Sequence, residues 1–169
     1  MVVRKYIEAI LDDMERKYNA ALSSSNPLEP TYYSKLAVLE YCGWIEETFD
    51  IIVRRSVKGK IKTTAFRQML EYSVIGNTHA FQYKDHFRPM LRNAIGISKM
   101  EQIEQYLDKT TQLDTLISEL QAVKRDRDDA AHTWIVGATK TYPAPSQIKG
   151  RLDKVYPIMR NLYSEIIKK

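Results

Sequence analysis

The sequence predicts an all-α protein, a bundle of four long helices with short helices inserted between them. Three observations predict it. Apolar residues recur at steps of three and four along nearly the whole chain. No strand-like alternation competes with that period. The gaps between periodic runs hold Gly, Pro, Ser and Asn, the residues that interrupt helices. At 169 residues the length is that of one helical domain, spanning 1–169, and it can bury a core unaided by disulfides.

Val3, Ile7, Ile10, Met14, Tyr18 and Ala21 share one face of a first long helix. Ser23-Ser24-Ser25-Asn26-Pro27 and then Pro30 break it. Val38, Cys42, Ile45, Phe49 and Ile52 form a second stripe, which ends before Lys58-Gly59-Lys60. A shorter helix is expected from Thr64 to Ile75, stopped by Gly76-Asn77. Asp85 to Ile95 reads as another short helix. Ser98 followed by Glu101 resembles a capping box, opening a helix that reaches about Leu107. Leu113, Leu116, Leu120, Val123, Ala131 and Trp134 continue one stripe of a third long helix, closed by Gly137 and Tyr142-Pro143-Ala144-Pro145. Ile148, Leu152, Val155, Met159, Leu162 and Ile166 mark the last, with Pro157 expected to bend it.

Apolar residues make up 44% and charged residues 28%, which excludes low-complexity disorder. Apolar runs such as Ile51-Ile52-Val53 fall far short of the roughly 18 residues a membrane span needs, so no membrane partner is expected. The N-terminus lacks the apolar stretch of a signal peptide, and Cys42 is the only cysteine. Together these point to the cytoplasm. Net charge is −2 over residues 1–56, +4 over 57–110 and +3 over 111–169. The basic part suits a polyanionic partner such as nucleic acid, and equally a soluble protein with a modest basic excess.

Most catalytic signatures are missing. The six glycines are scattered, so no loop cradles a phosphate. No His-Glu-x-x-His, Cys-x-x-Cys or serine elbow occurs. His79 and His86 lack a third ligand at a useful spacing and read as surface or loop residues. No metal and no cofactor is expected.

The informative segment is Lys124-Arg125-Asp126-Arg127-Asp128-Asp129-Ala130-Ala131-His132-Thr133. Lys124/Asp128 and Arg125/Asp129 are i,i+4 pairs, so one reading is a solvated helix face. Two features resist it. Arg127 falls on the apolar stripe between Val123 and Ala131, an expensive place for a guanidinium unless it faces a cleft or an interface. Asp128 precedes His132 by four residues, where it can accept a ring N–H and orient the imidazole. On a straight helix Arg127 and His132 point about 140° apart, so a site using both calls for a bend, a helix end or a second chain.

Arg127-Asp128-Asp129-Ala130-Ala131-His132 resembles the Arg-polar-x-x-x-His signature of the HEPN superfamily, whose commonest form reads Arg-Asn/Asp-x-x-Ala-His. The resemblance implies a small all-α bundle and a metal-independent ribonuclease of a toxin–antitoxin or antiphage system, its active site formed across a homodimer. RNA would be the substrate and an antitoxin protein a further partner. Arg127, His132 and Asp128 would be the catalytic set, with Lys124, Arg125 and Thr133 as supporting neighbours. Family members often carry a polar residue on an early helix near the site. Glu46 fits that place, and equally fits an exposed helix glutamate. Some relatives have a tyrosine two residues after the His, where this chain has Trp134.

The chemistry agrees with a shared site. RNA supplies its own nucleophile, the 2′-OH; cleavage needs a base, an acid and a cation for the phosphorane charge. One motif holds a single His, and two motifs across a two-fold axis hold two His and two Arg. A non-catalytic HEPN-type module binding RNA, nucleotide or protein is the alternative. A helical dimerisation scaffold without ligand is a third reading.

Overall fold

The computed structural model describes residues 3–132 and 141–168, with the backbone alone at His132. Among them every regular element is helical and there is no strand. The long helices are α1 (Lys5–Ala21), α2 (Glu29–Ser56), α6 (Gln112–His132) and α7 (Pro145–Ile167). Between α2 and α6 lie three shorter ones, α3 (Thr64–Met69), α4 (Arg88–Ile95) and α5 (Ile97–Asp108). The all-α class is therefore observed, with the expected order of long and short elements.

Two short stretches are wound more loosely. Leu70–Ile75 continues α3 as a π-helix, closed by the Gly76 amide donating to the Glu71 carbonyl at 2.8 Å. Tyr83–Phe87 is likewise π-helical and runs into α4, the Phe87 amide donating to the Gln82 carbonyl at 3.1 Å. The segment expected to be a plain helix from Thr64 to Ile75 thus keeps its extent and changes its winding halfway.

Three local expectations are corrected. Pro30 does not break the chain; it sits in the first turn of α2, where a missing N–H costs nothing. Ser98 does not cap α5. That helix begins at Ile97 behind Gly96, and Ser98 lies inside its first turn with no side-chain cap bond at the start. Gly96 makes the entry at φ 85°, a left-handed value that residues with a Cβ rarely adopt. Ala131 does not extend the apolar stripe of α6: it is exposed, and Ala130 is buried in its place. By spacing alone Ala131 lies within about 20° of the direction of buried Leu120, so its exposure reflects what packs against the end of the helix and not where it points. Trp134, Gly137 and Thr133 lie outside the described residues. Pro157 stands inside α7, which continues past it to Ile167.

Contacts divide the chain into two compact units. One comprises residues 45–120 and 157–168. Its buried side chains include Ile45, Phe49 and Ile52 of α2, Met100, Ile103 and Leu107 of α5, and Met159 and Leu162 of α7. Phe49 and Phe87 stack with ring centroids 4.0 Å apart. Glu104 of α5 accepts from the Tyr83 hydroxyl at 3.1 Å and from Arg88 at 2.6 Å.

The other unit comprises residues 3–44 and 121–156. Ile7 and Leu11 of α1, Val38 and Tyr41 of α2, Val123 of α6 and Ile148, Leu152 and Val155 of α7 are buried in it. Arg4 bridges Glu8 and Asp153, and the Trp44 ring N–H donates to the Val3 carbonyl at 3.1 Å. Tyr142 is buried, and its hydroxyl donates to the Asp129 carbonyl at 3.3 Å. That bond pins the start of the α7 approach to the last turns of α6. Pro145 then opens α7 at its first position, which suits a residue without an N–H.

Candidate functional site

The Arg127 segment forms the last turns of α6. Val123 and Ala130 are buried and Arg127 lies between them on the same side of the helix, its side chain 29% exposed. The guanidinium therefore occupies a partly covered position on the apolar face, as its spacing predicted. Its Nη1 lies 3.3 Å from an Asp128 oxygen. The other Asp128 oxygen accepts from the Lys124 ammonium at 2.8 Å, the expected i,i+4 pair. The Lys124 hydrogen bond, aided by Arg127, holds the Asp128 carboxyl below the usual range. Asp128 thus stays anionic at neutral pH. Its contribution to stability is present above the unfolded carboxylate pKa and is lost as pH falls through its own lower value.

Asp126 behaves in the opposite sense. Burial pushes its carboxyl up, against the pull of Arg151 and Arg125. Arg125 is exposed. His132 is the final residue of α6 as described, one helical turn beyond Asp128. The expected Asp128–imidazole bond involves a side chain outside the described ones, as does any role of Thr133. Glu46 is half-buried on α2 and belongs to the unit of residues 45–120, whereas Arg127 belongs to the unit of 121–156.

The remaining titratable groups fall elsewhere. His79 is exposed outside any helix, and His86 is half-buried in the π-helical turn before α4. Among the described residues no group of three or more His, Cys, Asp or Glu is placed to hold a metal ion. Cys42 is buried. No helix of the described residues is long and apolar enough to cross a membrane.

A second charged cluster was not singled out by sequence. Arg54 on α2 donates from Nε to both carboxylate oxygens of Glu71 at 3.1 Å and lies 3.6 Å from Asp50. Burial pushes the Asp50 carboxyl up to about 6, with Arg54 opposing the shift and Glu47 and Glu71 adding to it. The available signal was the i,i+4 spacing of Asp50 and Arg54, which many ordinary helices share.

Compared with protein-family models, with curated proteins and with solved structures, the chain matches none.

Proposed function

We propose that the protein is a metal-independent endoribonuclease of the HEPN type, acting as a toxin or antiphage effector in the cytoplasm, with its active site shared across a homodimer. One observation carries the reading: an arginine held on the buried side of α6, beside an anionic Asp128, with His132 ending the same helix. A guanidinium in a partly covered position keeps its charge and presents a planar fork suited to two phosphoryl oxygens. A histidine suits proton transfer near neutral pH.

In this mechanism one His132 removes the proton from the ribose 2′-OH. The resulting oxygen attacks the adjacent phosphorus while Arg127 stabilises charge on the non-bridging oxygens. The His132 of the second copy gives a proton to the departing 5′-oxygen. The products are a 2′,3′-cyclic phosphate and a 5′-OH. DNA, lacking the 2′-OH, is inert. End-group analysis of RNA incubated with purified protein in EDTA tests this. Cyclic phosphate ends are expected, with a bell-shaped pH profile and a dimer by sedimentation. Products ending in 5′-phosphate and 3′-OH, formed only with a divalent metal, overturn it.

A second reading has its own support. Lys124, Asp128 and Arg127 form a connected set of ion pairs along one helix face, which favours a structural role in a non-catalytic RNA-, nucleotide- or protein-binding module. Under that reading no RNA is cleaved, and Arg127→Ala lowers thermal stability.

A further inference from the structure

Residues 54–72 carry six cations, Arg54, Arg55, Lys58, Lys60, Lys62 and Arg67, against Glu71 alone. Arg54 is engaged by Glu71 and Asp50. None of the ion pairs among the described residues involves Lys58, Lys60, Lys62 or Arg67. Those four are exposed. The chain leaves α2 at Ser56 and turns at Gly59 with φ 80°, which sets three lysines on a short loop. Lys58, Lys62 and Arg67 then line one open cavity of about 620 Å³ with Arg54, Ile61 and Leu70.

The helix after this loop has no buried residue. Phe66, Met69 and Tyr72 recur every three residues along it and its π-helical continuation, and are 62%, 55% and 74% exposed. A six-residue helix has little stability of its own, and an exposed Phe-Met-Tyr row is costly in water. Something with flat apolar groups and negative charge fits that surface. A second copy of the same surface does not, because its four lysine and arginine charges would meet their own kind across a two-fold contact.

We propose that the 58–72 surface binds single-stranded nucleic acid, with Lys58, Lys60, Lys62 and Arg67 on the phosphates and Phe66 and Tyr72 stacking on bases. An extended strand offers a charge and a π-face at every nucleotide, which is the pairing of groups found here. Recognition of this kind reads neither base edges nor the 2′-OH, so DNA and RNA strands both bind. The inference goes beyond the cleavage reading and does not depend on it.

Fluorescence anisotropy with a labelled 20-nucleotide oligo-dT tests it on the full chain, because that strand cannot be cleaved through a 2′-OH. Binding is expected to weaken with salt, with a log–log slope of about −2 to −3 for three or four phosphate contacts. The triple variant K58E/K62E/R67E is expected to lose at least about 10-fold in affinity and to flatten that slope. Phe66→Ala and Tyr72→Ala should each weaken binding about 5-fold or more, while Tyr72→Phe retains it. Circular dichroism melts check that these surface variants stay folded. Absence of oligo-dT binding in 50 mM salt overturns the proposal, as does full binding by the triple variant. Equal competition by polyglutamate, with Phe66→Ala indistinguishable from wild type, assigns the surface to an acidic protein instead. Preference for phosphatidylserine vesicles over oligo-dT assigns it to lipid. Oligo-dT binding with no RNA cleavage leaves this inference standing and removes the nuclease; cleavage of a dinucleotide without oligo-dT binding does the reverse.

Discussion

The end of α6 and the loop-helix segment 58–72 are both rich in cations, yet they treat them differently. From Lys124 to Asp129 three cations are interspersed with three carboxylates, and Asp128 takes both Lys124 and Arg127 within hydrogen-bond range. From Lys58 to Tyr72 four cations stand exposed outside the ion pairs of the described residues. Charge that is locally neutralised has a fixed geometry and a short range. Charge that is not neutralised projects a field into solvent, with a reach of about 10 Å at 0.1 M salt. The first arrangement suits a site acting on one phosphate, the second a surface gathering a long polyanion.

Substitutions can separate the two. The largest effect is expected from Arg127→Ala and His132→Ala, each lowering RNA cleavage by about 10²–10⁴-fold while leaving oligo-dT affinity within about twofold. Parallel loss of cleavage and oligo-dT affinity would merge the regions into one binding surface. Loss of folding in either variant would favour the structural reading of the motif. Asp128→Ala sharpens the contrast at a smaller scale. It should reduce cleavage less than either of the other two, because a carboxylate beside Arg127 positions rather than reacts.

Asp50 offers a comparison within the fold itself. Its carboxyl is pushed up to about 6 by burial, with its side chain 26% exposed. The native state therefore holds that proton more tightly than the unfolded chain, and stability falls as pH rises from about 4 to 6. Above that range the ionised group opposes folding. Asp50→Asn is expected to raise stability by roughly 1–3 kcal/mol at pH 7.5 and to change little near pH 4, as read by denaturant melts at both values. The reverse pH order would mean that the Arg54 ion pair outweighs burial. The smallest effect belongs to Lys124→Ala. A half-exposed i,i+4 pair of this kind contributes about 0.3–0.5 kcal/mol, and the loss should shrink in 1 M salt.

Much of this is legible in the sequence. The four apolar stripes located α1, α2, α6 and α7, because burial of one helix face needs a 3.6-residue period and nothing else in the sequence produces it. The placement of Arg127 among covered residues followed from the same period. Ala131 lies on that face by spacing, within about 20° of buried Leu120, yet is exposed, because the period gives a direction and not what stands there. Ser98 was misread because a Ser-x-x-Glu pattern records only spacing, whereas Gly96 had already provided the turn that starts α5.

Among the described residues, the sequence by itself determined the order of long and short helices and most of the face each long helix turns inward. These depend on local spacing and on residues that stop a helix, which each segment carries in itself. Tertiary structure alone decided that α3 buries no residue although Phe66 and Met69 lie on it, and that Glu71 reaches back across seventeen positions to hold Arg54. Spacing fixes the direction of a side chain about its own helix axis. Whether another helix, a carboxylate or water stands in that direction depends on how distant segments pack, and the chain order does not encode that locally.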